Sequence, residues 1–190
     1  MIRSFIAIEL KNQDTIKNIL SFTSRLKQNQ PKIKLVEPEN LHLTMKFLGN
    51  ISETIAQDIY NIIKDQINAK LFKEQELTYT LKGAGQFNKF SVLWIKIEGD
   101  IPFLQNVKDQ LEDRLFNNLK IQLDKRKTFK PHLTIGRLMR ERINYKNFDS
   151  LKNLINKNKQ TTFGTFTING VKLKKSELTP KGPIYTDLVF

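Results

Sequence analysis

A chain of 190 residues is long enough to bury a core without staples, and its complete lack of cysteine excludes disulfides, zinc–thiolate sites and cysteine nucleophiles. Lysine and arginine outnumber aspartate and glutamate by 32 to 19, an excess that favours polyanions, nucleic acid first, although a lysine-rich composition can also arise without any ligand. Charge interrupts the opening Met1 to Lys11 before a signal-peptide core could form, and no apolar run reaches spanning length, so a soluble, cytoplasmic protein without a membrane partner is expected.

Alternating apolar residues predict a strand over Ile2 to Glu9, followed by a helix capped by Asp14 with Ile16, Ile19, Leu20, Thr23 and Leu26 on one stripe. A short strand over Lys32 to Val36 leads to the strand that contains His42-Leu43-Thr44. Ser52 then caps a helix with Ile55, Ile59, Ile62 and Ile63, and a strand follows around Leu77, Tyr79 and Leu81. Gly83-Ala84-Gly85 lacks the Lys-Ser/Thr of a phosphate loop and reads as a turn, so no nucleotide cofactor is expected.

The same order then recurs. Val92 to Glu98 reads as a strand, and after Pro102 the residues Leu104, Val107, Leu111, Leu115 and Leu119 fall at helical spacing. A short strand over Lys120 to Leu123 precedes the strand that contains His132-Leu133-Thr134. A helix near Phe148, Leu151, Leu154 and Ile155 leads to strands over Phe163 to Leu173 and Ile184 to Phe190, with Gly182-Pro183 as the turn between them.

His42 and His132, the only histidines, thus sit in identical tripeptides 90 positions apart, while Phe5 to Glu9 superposes on Trp94 to Glu98 at an offset of 89. Two anchors agreeing within one residue argue for a diverged internal duplication. The expected fold is α+β: two pseudo-twofold-related lobes with antiparallel sheets facing a central cleft and helices outside. They form a single domain over 1–190, with lobes of roughly 1–90 and 91–190, expected as a monomer.

Strand alternation puts His42 and Thr44 on one face and Leu41, Leu43, Met45 and Phe47 on the other; His132 and Thr134 likewise oppose Leu133 and Ile135. Each lobe then offers an imidazole and a hydroxyl about 7 Å apart along the strand. In-line displacement at phosphorus needs an acid and a base on opposite sides, which two rotated lobes can supply. Phe47 occupies the position that Arg137 holds in the second copy: the arginine suits phosphate oxygens and the ring suits a nucleobase. Strict alternation turns both away from their histidines, so these roles require a bulge or strand end, which Gly49 and Gly136 make possible.

These residues resemble the two-histidine phosphoesterases, and within them the RNA 2′,3′-cyclic phosphodiesterases once named 2′-5′ RNA ligases. The resemblance runs from Arg3-Ser4-Phe5-Ile6-Ala7-Ile8 through Pro38 to Gly49 and Lys130 to Arg137 to the tail from Ser176 to Tyr185. It implies metal-independent opening of a 2′,3′-cyclic phosphate at an RNA 3′ end to leave a 2′-phosphate, with RNA as partner. By the same resemblance His42 is the proton donor and His132 the proton acceptor; Thr44, Thr134 and Arg137 hold the phosphate, and Phe47 packs on the base. The residues alone leave donor and acceptor interchangeable.

A lone strand histidine is more often structural, and a lone phenylalanine more often core; duplication reverses the first judgement, and the resemblance brings the second near even. Lys125-Arg126-Lys127 and Lys172, Lys174 and Lys175 read as solvated charge rather than as an RNA guide. Two histidines in separate lobes without a carboxylate cluster argue against a catalytic metal. Competing classes are an RNA-end binder without turnover and a 2′-5′ RNA ligase or phosphodiesterase.

Overall fold

The computed structural model describes every residue except Arg126, Lys127 and Lys181. Nine strands are described: β1 Ile2–Glu9, β2 Lys34–Leu35, β3 His42–Ile51, β4 Leu77–Phe87, β5 Val92–Glu98, β6 His132–Arg137, β7 Thr162–Ile168, β8 Lys172–Thr179 and β9 Gly182–Asp187. They form one sheet, in the order β7-β4-β5-β6-β3-β1-β8-β9 with β2 beside β6, and every pairing is antiparallel. The four helices are α1 Gln13–Asn29, α2 Glu53–Asn61, which continues as a π-helix over Ile62–Phe72, α3 Ile101–Leu119 and α4 Phe148–Lys157.

The two inner strands, β3 and β6, meet through a single register pair, Leu43 opposite Leu133. Four strands lie on each side of that junction, with β3 answering β6 and β1 answering β5. The chain halves are exchanged in space. Strand β4, from the first half, pairs with β5 and β7, while β8, from the second, pairs with β1.

One sheet face is apolar, bearing Ile6, Ile8, Leu43, Met45, Ile95, Leu133 and Ile135. It packs on Ile16, Ile19 and Phe22 of α1, Ile59 of α2, Leu104, Val107, Leu111 and Leu115 of α3, and Leu151 of α4. The opposite face bears the histidines and stays open. It is concave: β9 is three strands from β3, about 14 Å in a flat sheet, yet the Tyr185 and His42 ring centroids are 5.4 Å apart.

Several expectations need correction. The cap of α1 is Asn12, whose side chain accepts from the Thr15 N–H at 3.0 Å, and Asp14 lies in the first turn. The 120–123 stretch is not a strand: the Lys120 and Ile121 N–H groups donate to the Phe116 and Leu115 carbonyls that close α3, and Gln122 gives its carbonyl to the Lys46 ammonium, so these groups have partners other than a ladder. Gly83-Ala84-Gly85 lies inside β4, at an irregularity in its pairing with β5. A Cβ on Gly85 would meet the Trp94 ring at 2.2 Å, so glycine is what lets that indole lie across the strand. The 163–173 stretch divides between β7 and β8, which join opposite ends of the sheet, and Gly182-Pro183 opens β9 rather than forming the turn before it.

Candidate active site

Each histidine opens its strand, and both rings are held alike. The Nδ1–H of His42 donates to the Asn40 carbonyl and that of His132 to the Lys130 carbonyl, each at 2.7 Å and each two residues upstream. Because a carbonyl only accepts, Nδ1 carries the hydrogen and the neutral ring presents an unprotonated Nε2. In His42 that nitrogen lies 3.0 Å from the Thr44 hydroxyl. With Leu43 opposite Leu133, the two histidines stand diagonally across the junction, about 7–8 Å apart in a regular ladder and somewhat less between Cβ atoms.

Phe47 and Arg137 depend on a feature that neither strand's composition reveals. In β3 the partners run His42 with Glu9, Thr44 with Ala7, then Lys46 with Ile6 and Phe47 with Phe5, so Met45 is an extra residue. In β6 they run His132 with Lys96, Thr134 with Trp94, then Gly136 with Leu93 and Arg137 with Val92, so Ile135 is the extra residue. The bulges fall at matching places in the repeat, and each reverses the alternation beyond it. His42, Thr44 and Phe47 therefore share one face, as do His132, Thr134 and Arg137. Phe47 is 70% exposed rather than in the core. The bulges precede the residues they re-aim and sit at Met45 and Ile135 themselves, with Gly136 directly following the second and Gly49 beyond a further irregularity in β3.

The pairing also shifts the duplication match. Ala7 and Trp94 occupy equivalent places, as do Glu9 and Lys96, an offset of 87 (94 minus 7), two less than the sequence superposition gave. A two-residue slide keeps every side chain on its face, so an alternating pattern cannot register it.

Aromatic rings frame each imidazole. Phe5 and Tyr185 lie 5.0 and 5.4 Å from His42, and Phe87 and Trp94 lie 5.0 and 6.4 Å from His132, all centroid to centroid. Beside His42 is a cavity of about 360 Å³ bounded by Arg3, Phe5, Phe47, Asn50 and Tyr185. Burial holds the His42 imidazole below the usual histidine range, with the positive charges of Lys174 and Arg137 acting in the same direction; the Asn40 carbonyl and the Glu9 carboxylate pull upward. That influence places the Arg137 guanidinium within electrostatic reach of His42, and it acts on the Tyr185 hydroxyl as well.

Sequence reasoning missed the residues around the pair. Tyr185, Phe87 and Asn40 come from distant elements or act through a backbone atom, so spacing gives them no signature. Glu9 and Lys96 are visible in the alternating pattern of β1 and β5, but only the register shows that they stand opposite the histidines. Lys172 and Lys174 are not solvated-turn charges: both lie in β8 and bridge to Glu9 and Asp187, and Lys174 is only 5% exposed. Lys175 pairs with Glu177 at 2.8 Å. Of the other basic run, Arg126 and Lys127 lie outside the described residues.

Beneath the first bulge is a buried ionic cluster. The reversed alternation turns Lys46 inward, where its ammonium bonds both Glu112 oxygens at 2.9 Å, the Gln122 carbonyl at 2.9 Å and Asp124 at 3.1 Å. Lys108 bonds Glu112 at 3.0 Å, Asp124 at 2.6 Å and, at 2.9 Å, the carbonyl of the bulged Met45 itself. In the second copy the equivalent of Lys46 is Gly136, and no such cluster lies there among the described residues. Also among the described residues, no group of three or more histidine, cysteine, aspartate or glutamate side chains gathers as a candidate metal site, and no helix is long and apolar enough to cross a membrane.

The model of the AKAP7 2′5′ RNA ligase-like domain matches residues 4–186. The chain belongs to that family, a branch of the two-histidine phosphoesterases. It is 31% identical to the RNA 2′,3′-cyclic phosphodiesterase of Methanothermobacter thermautotrophicus, covering 98% of this chain and 96% of the other. Identity to the protein of that name from Methanocaldococcus jannaschii is 34%, covering 96% of each. Among solved structures, TT0787 of Thermus thermophilus superposes with a TM-score of 0.70 at 27% identity, covering 99% of this chain and 96% of that one.

Proposed function

We propose that the chain hydrolyses the 2′,3′-cyclic phosphate at an RNA 3′ end to a 2′-phosphate, without a metal, using His42 as general acid and His132 as general base. The observation that carries this reading is the pair of matched bulges: each leaves a histidine, a threonine and a third side chain, Phe47 or Arg137, on one concave face. The names of the relatives support the substrate.

In this mechanism Nε2 of His132 takes a proton from the attacking water while Nε2 of protonated His42 gives one to the departing 3′ oxygen; the Nδ1 bonds keep both rings aimed. Thr44, Thr134 and Arg137 hold the non-bridging oxygens, and Phe47 receives the terminal base beside the cavity. Glu9, opposite His42, pulls the proton affinity of that ring upward, against burial and the Lys174 charge, and no carboxylate takes that register place opposite His132, where Lys96 stands. Burial makes the His42 proton easier to release.

The two lobes act as one catalytic unit, since each half of the chain contributes one histidine and lends a strand to the other. A reducing compartment such as the cytoplasm fits a chain without cysteine. The test is an oligonucleotide ending in a 2′,3′-cyclic phosphate, incubated with the protein in EDTA. A 2′-phosphate product is expected; a 3′-phosphate, a joined product, or binding without turnover overturns the proposal.

A further inference from the structure

Lys34 in β2 is the register partner of Arg137 in β6, so the two cations stand side by side on the face that also bears His132 and Thr134. Directly opposed like charges weaken a ladder. The cost is not offset locally, because neither side chain has a carboxylate within salt-bridge distance among the described residues. Elsewhere on this face lysines are neutralised: Lys172 and Lys174 by Glu9 and Asp187, and Lys96 by Glu98 at 2.9 Å. The strand end is nevertheless well fixed, with the Val36 N–H donating to the Ile135 carbonyl at 3.0 Å and Leu35 paired with Gly136. A rigid backbone therefore holds two unneutralised cations together where the repeat's other half presents Phe47 and a cavity.

We propose that Lys34, one strand over from the Arg137 that holds the cyclic phosphate, extends the site into a second anion subsite, which takes the 5′-phosphate of the nucleotide whose cyclic phosphate lies between the histidines. Beyond the bulge Arg137 lies two strand steps from Thr134, about 7 Å, and Lys34 is one strand further over. A lysine side chain spans such a gap, so the subsite lies about one nucleotide's reach from the reacting phosphorus. The cleft is then polar along its length: a ring and cavity at one end for the base, Arg137 at the reacting phosphate and Lys34 beyond it for the 5′-phosphate. This makes the enzyme selective for the end of a chain over a free nucleoside cyclic phosphate, and it rests on the cyclic phosphodiesterase reading above.

The test compares adenosine 2′,3′-cyclic phosphate with and without a 5′-phosphate. In the unaltered protein the added phosphate is expected to raise kcat/KM about tenfold, the scale of one charge-assisted contact. Lys34→Gln should bring that ratio close to one, and Lys34→Arg should restore it. A ratio near one in the unaltered protein, or one that persists in Lys34→Gln, overturns the subsite. Failure of the unaltered protein to hydrolyse either compound would instead sink the cyclic phosphodiesterase reading itself.

Discussion

Around His42 stand Phe5, Tyr185 and, across the ladder, Glu9; around His132 stand Phe87, Trp94 and Lys96. What aims the ring is the same in both copies: an upstream carbonyl on Nδ1, two aromatic walls and a bulge three residues on. What stands across the ladder differs: Glu9, bridged to Lys172 and Lys174, opposite one imidazole and Lys96, bridged to Glu98, opposite the other. The parts that fix direction are the same in both copies, while the ion pairs beside the rings have diverged, and it is on that side that two matched groups can differ.

The sharpest way to break the comparison is to remove each imidazole in turn. His42→Ala and His132→Ala should each lower kcat by about 10³-fold or more, within the range for a lost proton transfer, while the thermal midpoint stays close to the unaltered value. Assay of both variants on a cyclic-phosphate oligonucleotide checks this, and comparable turnover in either would show that the two rings do not share the work.

Next in size is the contrast between Lys46 and Gly136. Lys46→Met leaves Glu112 and Asp124 facing only Lys108, and removal of one member of a buried ionic group costs about 3–5 kcal/mol. At Gly136 a Cβ would come 3.2 Å from the Ile33 side chain, a small misfit at the end of a flexible group, so Gly136→Ala should cost about 1 kcal/mol or less. Urea titration of the two variants should therefore separate them by more than about 2 kcal/mol. Equal losses would mean that the cluster contributes nothing to the first copy.

The smallest effect is electrostatic. The Glu9 carboxylate raises the proton affinity of His42, so Glu9→Gln lowers it further, and the Lys174 charge left behind pushes the same way. If His42 is the acid, the alkaline limb of the kcat/KM profile should move to lower pH by less than about one unit and the acid limb should stay in place. Movement of the acid limb alone would reverse the two roles.

Much of this is legible in the chain. The repeated His-Leu-Thr, the alternating β1 and β5, and the 3.6-residue stripes of α1 and α3 follow from local periodicity, which survives in sequence because it is imposed by burial. The inward turn of Lys46 and the outward turn of Phe47 are not, since a bulge is a relation between two strands and leaves no composition signal in either. The same holds for Tyr185, whose approach to His42 needs the curl of a sheet whose strands are far apart in the chain. The 120–123 stretch reads as a strand in sequence, yet Lys120 and Ile121 donate to the Phe116 and Leu115 carbonyls at the end of α3 and Gln122 gives its carbonyl to Lys46, partners that no periodicity encodes.

Because each face is decided by one supernumerary residue, the count of residues in these strands matters more than their identity. Exchanging Met45 for another apolar side chain leaves the arithmetic intact. Deleting it would rotate everything downstream by half a turn, sending the phenyl ring into the interior and a lysine out over the cleft. Such a strand is robust to substitution and brittle to a single-codon loss, and it admits a new specificity only by exchanging whichever side chain already stands at the re-aimed position.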